Sequence, residues 1–518
     1  MKQKHYIGAY IMNIVTKNLI ESKPAIDSIE SFSKTYLTAS VLSSCGIKKQ
    51  ADIEELEKPI EYCPLEGLDL GSSAGSAEGG QGTGDAAEPK KCKCIAAKKL
   101  LLDYMLAFLL NFSIFHLMKE GMFFEEYKKD TLYRFLELQH ANWEKLQLYV
   151  AASVIHDVEA DSTSNHTNVL IFDDSMYERA GNGRRTQLCG RVFDHNDHKL
   201  RIGYRMMTGA WSNGELTIPF AQTLLTSTAA KNQVGIFDLR DGRTIEGKRD
   251  RRALTKGTAT VVRMVEEAQS VKIPFDYVLF DTWFSKPAQL VELKNIGADV
   301  IAMVAKTSTK FDVFDPKTQM VQPLDVKEIF ARYKKRPGKS RYLLSVTGTV
   351  TRDGVTIDVK LVFARNRNNR KDWVCFVCTN KDLDEATILA TYAIRWNIEV
   401  YFKTVKSYMR LRTECHSNKY DVLTAHMVIV ALRYMAMALD AYHRSDNRTI
   451  GQVFEQAKRE VINVMINSAL VVVIDCLLDV IFEMYHPSLE DQIKMYNCFY
   501  EKLPSYWKDR FNDPDRAA

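Results

Sequence analysis

The chain has 518 residues, 46% hydrophobic and 26% charged, enough apolar content to bury several cores and a length that suggests about three domains. Its formal net charge of only +5 excludes a uniformly basic polypeptide, so any polyanion-binding surface must be concentrated locally. Ten cysteines without ligand spacing exclude a zinc finger: Cys92 and Cys94 stand one residue apart, and Cys375 and Cys378 have no second pair, so buried thiols in a reducing cytoplasm are expected.

The N-terminal region, residues 1–160, is expected to be helical. Its first residues are basic and then apolar, but Asn13 and Lys17 interrupt the run and no small-residue cleavage site follows, so no signal peptide is expected. Residues 25–60 suit short helices with Gly46 at a turn, either a helix-turn-helix or a plain helical pack. Between 67 and 88, Gly, Ser and Ala dominate, the composition of a flexible linker. Helical spacing resumes over 96–151, with Leu100, Leu101, Met105, Phe108, Phe135 and Trp143 supplying apolar faces.

The character changes at 167. An apolar run at 169–172 breaks into Asp173, Asp174 and Ser175, as a buried strand does when it delivers acids to its carboxyl end, and either aspartate fits that role. Two further strands, 199–207 and 216–225, are joined through Asn213-Gly214, a hairpin signal. Lys248, Arg249, Arg251 and Arg252 form a basic cluster that either contacts DNA or solvates a loop, and 253–269 reads as a helix. Residues 277–280 form a strand ending in a single acid, Asp281, followed by a helix at 287–296 and a strand at 299–304.

Residues 306–371 hold 16 lysines and arginines against 6 acids, a balance of +10, so the rest of the chain sums to −5. That concentration is the footprint of a phosphate-binding surface, and Arg365, Arg367 and Arg370 are candidate phosphate contacts within it. Alternation at 342–350 and 355–364 around Asp353-Gly354 predicts a β-hairpin, and 373–378 a further strand. The most informative segment is YAIRWNIEVYFKTVK, 392–406. At ~100° per residue of an α-helix, Tyr392, Arg395, Glu399 and Lys406 fall within an arc of roughly 60°, beside an apolar face of Ile394, Ile398, Tyr401, Phe402 and Val405. Helices are expected at 422–439 and 453–465. The apolar tract 466–482 is interrupted by Asn467, Asp475 and Asp479 and reads as a buried helix, with no membrane span.

The spacing Y-(2)-R-(3)-E-(6)-K resembles the signature of the insertion-sequence-four family of DDE transposases, and the string DTWFS at Asp281 resembles that family's second motif. The resemblance runs from about 167 to 426. It implies a mixed α+β/α/β fold: a ribonuclease-H-like catalytic core at 161–305 and 380–415, a basic β insertion at 306–379, and helical N-terminal and C-terminal regions, the latter at 416–518. It implies that Asp173, Asp281 and Glu399 are catalytic metal ligands; the order strand, Asp, any residue, Ser selects Asp173 and leaves Asp174 in reserve. The implied cofactor is a pair of Mg²⁺ ions, with Mn²⁺ able to substitute. Tyr392, Arg395 and Lys406 would contact DNA phosphates, and Trp373 would stack on a flipped base at the element's end. The implied partners are double-stranded DNA, both inverted repeats and target, and a second copy of the chain in a homodimer, in a bacterial cytoplasm and at the nucleoid. The rival readings are a structure-specific nuclease of the same fold and a DNA-binding protein that no longer cuts.

Overall fold

The computed structural model describes residues 24–47, 97–110, 129–162, 166–179, 181–194, 198–337, 340–366, 369, 371–444, 448–456, 458–459, 477, 480–482 and 484–502. The linker at 67–88, Cys92, Cys94, Arg367, Arg370 and most of 466–482 lie outside the described residues. The chain divides into two compact units, one of 25–455 and one of 1–24 with 456–518. Of the second, the described part includes the helix Leu489–Lys502, which carries a Glu490–Lys494 ion pair at 3.1 Å.

The larger unit is organised around a mixed sheet of eleven strands. Its centre is β1 (Val169–Glu178), whose first four residues are fully buried. They pair in parallel with β5 (Tyr277–Phe280), and β5 pairs in parallel with β6 (Val300–Val304). Strands covered on both faces read as unbroken apolar runs, which is why these three were recognisable without alternation. On its other edge β1 runs antiparallel to β3 (Lys199–Ser212), and β3 to β4 (Thr217–Leu225). The order β4-β3-β1-β5-β6, with the first three antiparallel and the last two parallel to β1, is that of a ribonuclease-H-like core. β2 (Gly190–Asp194) extends the free end of β3.

The basic insertion continues this same sheet. β11 (Trp373–Cys378) lies antiparallel to β6, and β10 (Val355–Arg365), β9 (Leu344–Arg352), β7 (Lys310–Asp315) and β8 (Met320–Asp325) follow outward. Asp353 and Gly354, at φ of 51° and 79°, make the turn between β9 and β10, a left-handed pair that an Asp-Gly sequence adopts readily.

Helices cover the sheet. Trp143–Asp161, capped by the Asn142 side chain accepting from the Lys145 backbone N–H at 3.0 Å, packs against β4. The helix Tyr420–His443 is long and apolar enough to cross a membrane by length and composition alone, but it is buried inside this unit. Its buried Arg433 and His426 are both engaged. Arg433, fully buried, donates to both oxygens of the fully buried Glu414 and to the carbonyls of Tyr104, Met105 and Met409. His426 sits between the Tyr104 hydroxyl at 2.7 Å and the Leu411 carbonyl at 3.1 Å. A carbonyl can only accept, so Nε2 carries the proton and Nδ1 accepts from Tyr104. Burial, aided by the Arg433 charge, pushes the imidazole down to about 3 and keeps it neutral.

Two sequence expectations need correction. The basic cluster at 248–252 does not sit on a loop: it lies on the helix Ile245–Ala253, where Arg249 is buried against Asp421 and Arg252 pairs with Glu144 and Glu267, while Lys248 and Arg251 stay exposed. Alternating faces of one helix sent two of its four cations inward. The segment 392–406 is also not one helix. Glu385–Ala393 ends at Tyr392 and Ala393, Trp396–Ser407 begins after Arg395, and the junction is a 3₁₀ turn with bonds from Ile394, Arg395, Asn397 and Ile398 N–H to the third carbonyl back. Tightening to ~3 residues per turn eclipses side chains three apart and brings Arg395 over Tyr392, 5.9 Å from its ring centre.

Candidate active site

The parallel register sets the first two acids side by side. Phe172 is paired with Phe280, so Asp173 and Asp281 take the next positions on adjacent strands, at the point where β5 ends. The Asp281 carboxylate accepts from the Trp283 backbone N–H at 2.9 Å, which orients it at the start of the following turn. Strand alternation separates the two candidate aspartates, because Asp173 and Ser175 share one face of β1 and Asp174 takes the other. Asp173 meets Arg395, Nη1 to Oδ2 at 3.3 Å, whereas Asp174 pairs with Arg205 at 3.2 Å.

Glu399 reaches this cluster through the same arginine: Arg395 Nη2 donates to Glu399 Oε1 at 2.6 Å. A guanidinium that is 14% exposed thus bridges two carboxylates that lie 226 residues apart in sequence. Burial and the like charge of Asp281 push the Asp173 carboxyl up to about 7, and Arg395 only partly opposes them. Burial works against the Arg395 charge, but Tyr392, Glu399 and Asp173 together hold it above its ordinary value. Burial raises the Tyr392 hydroxyl as well, with the neighbouring Arg395 opposing it, and its ring packs on Phe376 at 4.8 Å.

The remaining predicted residues sit at differing distances from this centre. Lys406 donates to the Ser175 hydroxyl on the Asp173 face of β1, and burial followed by the neighbouring Arg412 lowers its pKa. Trp373 is on β11, stacked on Phe330 at 4.6 Å with Lys306 Nζ 4.3 Å over its ring. Arg365 is exposed opposite Trp373 at the end of β10. Glu399 also borders a cavity of about 1340 Å³ that Trp396, Lys403, Tyr408 and Tyr442 line.

Three residues were not singled out as site residues from sequence: Arg205, which holds Asp174 and lies 5.7 Å from the exposed Trp283 ring, Trp283 itself, and Ser175 as the partner of Lys406. Ser175 had a signal in its i, i+2 spacing from Asp173, and Trp283 in its position two residues after Asp281. Arg205 had none, since its pairing depends on strand register.

The donor set is all oxygen, which suits a hard divalent cation, and two adjacent carboxylates that raise each other's energy call for a cation between them. Asp173, Asp281 and Glu399 therefore fit a divalent ion chemically. Among the described residues, however, no three His, Cys, Asp or Glu side chains are gathered tightly enough to hold one, and the cation now joining Asp173 to Glu399 is Arg395.

No curated protein matches the chain. Residues 114–330 match the family model of the DDE superfamily endonuclease, and residues 249–436 match that of the transposase DDE domain. The first match spans Asp173 and Asp281, the second spans Asp281 and Glu399, and each covers less than half of the chain. Together with the ribonuclease-H-like strand order, the two overlapping matches support reading this chain as a DDE transposase.

Proposed function

We propose that this chain is a transposase of the insertion-sequence-four type that cuts at the ends of its element and joins them to target DNA, with Asp173, Asp281 and Glu399 as the metal-binding triad. The observation that carries the reading is the convergence of these acids, Asp173 beside Asp281 through the β1–β5 register and Glu399 through Arg395. A pair of divalent ions, Mg²⁺ with Mn²⁺ as substitute, would activate water or a 3′-hydroxyl and stabilise the leaving oxygen. The chain's own residues do the rest. Arg395 offers a bidentate fork to a phosphate next to the scissile bond, and Lys406, at Ser175 on the same face of β1, a point charge. Arg365 and the other cations of the insertion extend the phosphate-binding surface along the sheet. Trp373 would take a flipped base only after Lys306 leaves its ring. The N-terminal region would recognise the inverted repeats, and the C-terminal region would support a homodimer at the nucleoid.

The endonuclease match gives a second reading some support, cutting without joining. Incubating the protein with Mg²⁺ and plasmid DNA carrying the sequences that border its reading frame, then sequencing the product ends, separates the two. Joined target products favour transposition, and nicks alone favour a nuclease. Asp281→Ala and Glu399→Ala should abolish cutting while leaving end binding within a few fold; a mutant that still cuts would remove that acid from the triad.

A further inference from the structure

Asp173 and Glu399 share one counter-charge, and it is an arginine side chain. Arg395 spans them at 3.3 and 2.6 Å, while Lys406, the other cation of the signature, is turned to Ser175. A guanidinium placed between two carboxylates fills the position that a cation shared by both would take. It is also the group best matched to a phosphate, to which it can offer the same two-pronged contact. Arg395 stands on a 3₁₀ turn between two helices, and such a turn often marks a hinge.

We propose that Arg395 is a positioning residue that latches the acids in the absence of DNA: a phosphate of bound DNA draws the guanidinium away, and Asp173 and Glu399 are then released to share a divalent ion. This rests on the transposase reading of the same site and adds to it that DNA and metal bind as a linked pair. Linkage makes the effect reciprocal, so DNA tightens metal binding by the factor by which metal tightens DNA binding. Such a latch keeps the full chain from assembling a loaded nuclease site before DNA arrives.

The test is Mn²⁺ binding to the full-length protein, followed by electron paramagnetic resonance of the free ion, with and without duplex DNA from the borders of the reading frame. In the wild type, DNA should tighten Mn²⁺ binding by a factor within the ~5–150-fold range typical of coupled sites. In Arg395→Gln, Mn²⁺ should bind without DNA about as tightly as it binds the wild type with DNA, and DNA should add less than about twofold. Asp173→Asn in the same background should erase the gain, which assigns the ion to these acids. Unchanged Mn²⁺ affinity in a folded Arg395→Gln would overturn the latch, as would a wild type whose Mn²⁺ affinity ignores DNA, a result that needs no variant. If the wild type cuts DNA and the coupling is absent, the latch alone falls. If no form binds Mn²⁺ at the acids and no DNA is cut, the transposase reading falls with it.

Discussion

Asp173 makes the pH dependence of folding calculable. Its carboxyl stands at about 7 instead of 3.8 because it is buried beside the charge of Asp281, with Arg395 only partly compensating. At ~1.4 kcal/mol per pH unit, that gap of about three units makes the ionised form cost the folded protein up to about 4 kcal/mol. The folded state keeps this proton to a higher pH than the unfolded chain does. The associated stabilisation is therefore complete below about pH 4 and is lost as the pH rises through about 7. Asn at this position cannot ionise, so Asp173→Asn should gain on the wild type steadily between about pH 4 and 7 and then hold a constant lead. The lost contact to Arg395 offsets the two curves but does not tilt them. Urea unfolding of both proteins at several pH values across this window, in EDTA, measures the difference. Parallel curves, or a lead that shrinks as pH rises, would refute the placement of a buried, charge-opposed carboxyl at 173.

Two further outcomes follow from packing. Glu414→Ala strands the fully buried Arg433 with only carbonyl partners, and should cost ~3–5 kcal/mol by denaturant unfolding, while Glu414→Gln, which keeps an acceptor, should cost less. Trp373→Ala removes the indole stacked on Phe330 and should cost about 2 kcal/mol, below the ~3–5 of a fully buried tryptophan. If its ring also takes a flipped base, the same variant should slow hairpin resolution more than first nicking; equal effects on both steps would confine Trp373 to packing.

Much of this molecule was legible in its sequence, because the relevant signals are local. The apolar runs ending at Asp173 and Asp281 became β1 and β5, although β1 continues to Glu178 because β3 supplies a partner beyond the point where β5 stops. Asp353-Gly354 and Asn213-Gly214 turned where their backbone preferences dictated, and the strand at 373–378 fell where its β-branched and aromatic content placed it. Neighbouring residues determine such features through sterics and turn chemistry, so a single chain displays them.

What only the tertiary structure decided is which charges meet. That Asp173 meets Arg395 while Asp174 meets Arg205 came from which face of β1 turns toward the Trp396–Ser407 helix. The inward turn of Arg249 and Arg252 depended on acids at 421, 144 and 267, and the bridge from Asp173 to Glu399 needed both the β1–β5 register and a 3₁₀ break in what reads as one continuous helix. The physical reason is that a charge finds its partner through space. Residues 173, 281 and 399 acquire a common environment only when three distant segments are packed together, and no periodicity within any one of them records that distance.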